Sequence, residues 1–123
     1  MNYIFMIDKF AAQLAFMGFL LVIAKMITKR LSPGKADSML MKLHKPAGYL
    51  TAFAGIIHMI CSFQGFATKS IWSYIFGTIS VISIVLAIYM FRLNKRNPKK
   101  WLIWHRMFSA IAVITIVLHL ALR

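Results

Sequence analysis

Four apolar runs, each about long enough to cross a 30 Å hydrocarbon layer as a helix, constrain this 123-residue chain more than any other feature. They cover about 10–28, 38–63, 71–91 and 101–122. In lipid every backbone polar group must be paired internally, which leaves helices or closed barrels, and these runs lack the alternation and turn spacing of barrel strands. Apolar residues make up 61% of the chain, against roughly 45–50% in soluble domains. The connections at 29–35, 64–70 and 94–100 are short, and the first carries Pro33 and Gly34 as helix breakers. The expected fold is therefore all-α: an up-down-up-down transmembrane four-helix bundle formed by one domain, 1–123, with helices two and four parallel.

The charge pattern sets the expected orientation. The net charge of +13 comes from fifteen Lys and Arg against only Asp8 and Asp37. A nucleic-acid partner would need a continuous basic face, whereas these cations sit in clusters between apolar runs, where they meet lipid headgroups. Lys25, Lys29, Arg30, Lys35, Lys42, Lys45, Arg92, Lys95, Arg96, Lys99, Lys100 and Arg106 fall on one side, and Lys9, Lys69 and Arg123 on the other. Lys25 is near enough to the end of the first run to snorkel. The positive-inside rule puts the rich side in the cytoplasm and both termini outside; a bacterial inner membrane suits so small a chain. The amino terminus lacks a basic start and a small-residue cleavage site, so the first run is expected to stay in the mature protein. Cys61 stands alone, which excludes an internal disulfide, and there is no CxxCH for covalent haem attachment.

The four histidines carry the candidate chemistry. His44 and His58 lie on the second run, His105 and His119 on the fourth, and each pair is fourteen residues apart. That step is nearly four helical turns, so the members of a pair share a face within about 40° and stand roughly 21 Å apart along the axis. On parallel helices His44 would meet His105 at one depth and His58 would meet His119 at another. Each pair then suits the two axial positions of a b-type haem. The stripe between the histidines reads Gly48, Thr51 and Gly55 on helix two, and Ser109, Ala112 and Ile116 on helix four, leaving room for a flat macrocycle. Lys45 and Arg106 follow the cytoplasmic histidines, within reach of haem propionates. Gly18 and Gly77 are candidate close-packing points on helices one and three.

Plainer readings compete. A membrane histidine often bonds only to a neighbouring helix, though that leaves the matched spacing unexplained. A zinc or copper site needs ligands converging on one point, whereas these form two levels. A proton relay commonly includes Asp or Glu, and none falls within the four runs as bounded above. Met59 and Met107 flank histidines, but filling is the simpler role for methionine. Trp72, Tyr74, Trp101 and Trp104 sit near run ends as interfacial anchors. Thr51, Ser80 and Ser83 are expected to pack or bond to backbone carbonyls.

The segment His44-Lys45-Pro46-Ala47-Gly48-Tyr49-Leu50 to His58, followed by Trp104-His105-Arg106 to His119, resembles the haem-binding core of the ferric-reductase-like family. The paired fourteen-residue spacing is also similar to that in cytochrome b of quinol–cytochrome c reductases. The resemblance covers helices two and four, a little over a third of the chain. It implies His44 with His105, and His58 with His119, as axial ligands of two haems b. Members of that family commonly have six membrane helices and many append flavin and nicotinamide domains; here there are four runs and no GxGxxG.

The resulting expectation is a membrane cytochrome b subunit that transfers electrons, not a complete enzyme. Its donor would be a quinol or a cytoplasmic flavoprotein, and its acceptor an external flavoprotein, metal ion or other species. Two alternatives stand beside it: a quinol-oxidising membrane anchor of a larger reductase, and a cofactor-free small transporter or scaffold subunit.

Overall fold

A computed structural model describes residues 2–31, 34–93 and 95–123; Pro33 and Asn94, which belong to the expected connections, lie outside the described residues. The described chain is all-α, with helices α1 (Tyr3–Leu31), α2 (Lys35–Ser62), α3 (Ile71–Leu93) and α4 (Pro98–Ala121), and a 3₁₀ segment (Phe63–Thr68) after α2. All four α-helices are long and apolar enough to cross a membrane, as an integral membrane protein requires.

α1, α2 and α4 begin earlier than the apolar runs indicate, because the residues just ahead of them cap the helix, whereas α3 begins at Ile71 as its run does. Asn2 accepts the Ile4 amide on its side chain (3.2 Å) and the Phe5 amide on its carbonyl (3.1 Å), so α1 starts at Tyr3 rather than near residue 10. At α2, Gly34 adopts φ +153°, a conformation natural only to glycine, and its carbonyl receives the Ser38 amide at 3.0 Å. Asn97 caps α4 by accepting the Lys100 amide at 3.2 Å, with Pro98 in the first turn. A proline there loses no helical bond, so it starts the helix instead of prolonging the loop. Pro46 lies inside α2, where it removes the bond to the Lys42 carbonyl, yet the helix runs through it. The 64–70 connection is mostly the 3₁₀ segment, over which Phe63, Phe66 and Tyr74 form mutual ring contacts with centroids 5.3–5.9 Å apart.

The chain forms two compact units, Met1–His58 and Met59–Arg123. The first is an antiparallel hairpin of α1 and α2. Its register is fixed by Asp8 at His58, by Gly18 at Thr51 and Ala47, and by Lys25 and Thr28 at Asp37. In the second, α3 and α4 are antiparallel, with Ser73 at His119, Ala87 at His105 and Phe91 at Trp101. Both units reverse the soluble pattern. Among the described residues, and apart from Phe19, the buried ones are small or polar, such as Ala11, Gly18, Ala47, Thr51 and Ala54 in the first and Ser73, Ser80, Ser83, Ala87, Ala112 and Thr115 in the second. Large apolar residues such as Phe10, Met17, Phe53, Trp72, Ile82 and Ile114 face outward. Lipid solvates those side chains, while small residues let helix backbones approach.

Candidate histidine sites in two helical hairpins

Each hairpin carries two of the four histidines on its second helix, and the first helix supplies partners to three of them. In the second unit, Nδ1 of His119 lies 2.7 Å from the Ser73 carbonyl oxygen, and Nδ1 of His105 lies 3.1 Å from that of Ala87. A carbonyl oxygen can only accept, so Nδ1 carries the proton in both rings and Nε2 is the basic nitrogen. The Ser73 hydroxyl holds the same residue as well: it donates to the His119 main-chain carbonyl at 3.1 Å and stands 3.1 Å from Nδ1. Gly77, one turn on, makes the fit possible. A Cβ there would lie 2.9 Å from His119 Nδ1 and 3.1 Å from Cε1. His105 is flanked by the Trp101 ring at 5.8 Å, and Trp101 in turn meets Phe91 at 5.2 Å, so this tryptophan packs within the hairpin.

In the first unit the partner is an acid. Nδ1 of His58 lies 2.8 Å from Oδ1 of Asp8, with the two side chains 19% and 10% exposed. Asp37 falls in the first turn of α2 and Asp8 inside α1, both candidate membrane helices, which corrects the expectation that no acid lies in the spans. For Asp8 the reason is the Asn2 cap, which lengthens the helix by two turns ahead of the apolar run. A stripe of Asp8, Ala11, Ala15, Gly18, Val22 and Lys25 at three- and four-residue spacing is the signal that places Asp8 on the face turned to α2. The same spacing in Ser73, Gly77, Ser80, Ser83 and Ala87 marks the α3 face.

Two further expectations take definite form. Thr51 is buried and donates to the Ala47 carbonyl at 2.7 Å, and a Cβ on Gly18 would stand 2.5 Å from its Oγ1. Thr51 therefore fills space against α1 instead of lining an open stripe. Lys25 reaches toward the loop end of the hairpin, where it pairs with Asp37, and Thr28 donates to the same carboxylate at 3.2 Å.

Of the remaining candidates, Gly48 is half-buried and Gly55 buried, and a Cβ on Gly48 would meet nothing within 4 Å. Nδ1 of His44 is shielded from solvent. Lys45 and Arg106 are exposed, with long side chains suited to an anionic group. Among the described residues no three His, Cys, Asp or Glu converge as a set for a bare metal ion. The chemistry offered is that of single imidazoles. A ligating histidine almost always donates its other ring N–H to a carboxylate or backbone carbonyl, which orients the ring and raises its basicity. His58, His105 and His119 have that arrangement, so these residues fit a haem held through Nε2. No protein-family model, curated protein or solved structure matches this chain.

Proposed function

We propose that this protein is a membrane cytochrome b that binds two haems b, one through His44 and His105 and one through His58 and His119, and carries electrons across a bacterial inner membrane. The pairing rests on the shared fourteen-residue spacing. The observation that carries the reading is the anchoring of His58, His105 and His119 through Nδ1 by the preceding helix of each hairpin. Haem, when bound, supplies reversible one-electron exchange at its iron. The chain's own residues orient the imidazoles, exclude water with small-residue helix contacts, and surround the path with apolar side chains. Gly48 and Gly55 give the α2 face low relief near the ligands, and Lys45 and Arg106 offer cations to propionates.

With the basic loops inside, the His44–His105 level lies toward the cytoplasm. A quinol or cytoplasmic flavoprotein then serves as donor, and an external flavoprotein, metal ion or other species as acceptor. As a quinol-oxidising anchor of a larger reductase, the same chain would add a quinone pocket beside one haem.

A second reading gains from Asp8. A carboxylate–imidazole pair inside a membrane helix is also what a proton-handling membrane protein carries, and it would need no cofactor.

Haem per chain separates the two. Purified protein, expressed with haem supplied, is expected to give two haems b per chain in the pyridine haemochrome assay. His58→Ala and His119→Ala should each remove one haem, and the same one. A folded but colourless protein would end the electron-transfer reading and leave the proton-handling or scaffold roles; loss of different haems would break the pairing.

A further inference from the structure

Both acids of the chain are engaged within the first hairpin, Asp8 at His58 and Asp37 at Lys25 and Thr28. The second unit, Met59–Arg123, contains no Asp or Glu. Its α3–α4 turn nevertheless carries Arg92, Lys95, Arg96, Lys99 and Lys100, all exposed. The third residue of each hairpin's second helix makes the contrast plain. In α2 it is Asp37, which gives the first turn a carboxylate of its own; in α4 it is Lys100. The positive-inside bias asks for cations on this side of the membrane but does not exclude acids. Cations in a first turn also oppose the helix dipole, so helix stability does not account for Lys99 and Lys100.

A second observation lies on the same helix. Ile103, Met107 and Ile114 continue the face that Lys100 begins, at steps of three, four and seven residues, and they are 41–67% exposed. The Trp104 side of this face is exposed too, while Trp101 packs on Phe91 at 5.2 Å and closes the end of the hairpin. Dense positive charge therefore stands directly above an open apolar stripe.

We propose that the α3–α4 turn is a binding site for an anionic phospholipid, its phosphate held by Lys95, Arg96, Lys99 and Lys100 and an acyl chain lying along Ile103, Met107 and Ile114. This goes beyond the haem reading and does not depend on it. A basic cluster at the end of a membrane helix attracts anionic headgroups, and a guanidinium such as that of Arg96 can bind phosphate through two parallel bonds. The stripe below favours a lipid over a soluble anion, because a free phosphate would leave it unused. The external anion then takes the place that Asp37 fills in the first hairpin.

The test is native mass spectrometry of the purified full chain released from detergent micelles containing equal amounts of phosphatidylglycerol and phosphatidylcholine. Wild type should retain phosphatidylglycerol about fivefold over phosphatidylcholine, the preference expected from one juxtamembrane cation at the least. The double variant Lys99→Gln/Lys100→Gln should lose that preference, and Lys29→Gln/Arg30→Gln in the first hairpin should keep it. Lys100→Asp, which supplies an internal acid, should lose it as well. If the double variant does not fold, Lys100→Gln alone is judged by the same criterion. Equal loss in both double variants would mean diffuse surface charge and overturns the proposal, as does a wild type without preference. Displacement of the lipid by inorganic phosphate at constant ionic strength would assign the turn to a soluble anion, and capture of polyglutamate without lipid preference to an acidic protein; either overturns the proposal. The masses also report bound haem, so a colourless chain fails the electron-transfer reading while still deciding this one.

Discussion

The first hairpin is clamped by charge and the second by neutral groups. In the first, Asp8 meets His58 near one end and Lys25 meets Asp37 near the other, with the Gly18–Thr51 contact between them. In the second, backbone carbonyls of Ser73 and Ala87 take the histidines, and buried Ser80, Ser83, Ala112 and Thr115 fill the span between. Both solve the same geometric problem, which is to hold two imidazoles about four turns apart on one helix against its antiparallel neighbour. The difference teaches that ring orientation and local charge are separable: a carbonyl supplies the first alone, and a carboxylate supplies both.

The largest effects should come from crowding the two close-packing glycines. Gly77→Val drives a side chain into the His119 ring and should cost one haem per chain, the same one lost in His58→Ala, as counted by haemochrome. Gly18→Val presses instead on Thr51 Oγ1 and the Ala47 carbonyl. It should lower stability by about 1–3 kcal/mol through overpacking, seen as a reduced Tm in detergent, with both haems retained. Equal haem loss in both variants would break the distinction between a ring-seating and a backbone-seating glycine.

Next comes the ionic clamp. Lys25→Met removes the cation from Asp37, a pair 13% and 25% exposed, and should lower the Tm in detergent by less than Gly18→Val does, because solvent screens a partly exposed ion pair. The loss should shrink in Asp37→Asn, where no charge is left behind; a double-mutant cycle reads the coupling. An additive cycle would mean that the ion pair contributes no more than the neutral contacts of the second hairpin.

Smallest should be Ser73→Ala. It deletes the hydroxyl but keeps the carbonyl that takes His119 Nδ1, so the cost should be about 0.6 kcal/mol, typical of a side-chain hydrogen bond between membrane helices. Both haems should remain, with unchanged potentials. A shifted potential in this variant would show that the hydroxyl, and not the carbonyl, sets the electronic character of His119.

Much of this was legible along the chain, and the failures have a common cause. The apolar runs located all four helices, and Gly18 and Gly77 stood out as contact points because a missing side chain in a membrane helix invites a neighbour. Helix starts were misjudged wherever a polar cap preceded the apolar run, at Asn2 and Asn97, because hydropathy reports lipid contact and not where the hydrogen-bond ladder begins. That error at Asn2 hid Asp8, and with it an acid inside a span. Thr51 bonds to a backbone carbonyl as expected, but its face packs on Gly18 of α1, a contact that depends on the register of a hairpin.

By itself the sequence determined the solvent, the helix count and the histidine periodicity, because hydropathy and the 3.6-residue turn are properties of a linear string. Only the tertiary structure decided which nitrogen of His105 and of His119 carries the proton, and that one ring faces a carboxylate while two face carbonyls. Those partners come from another helix, fifty residues from His58 in the case of Asp8 and forty-six from His119 in the case of Ser73. A hydrogen bond is won or lost over a few tenths of an ångström, and no spacing rule along one helix determines the register of the next.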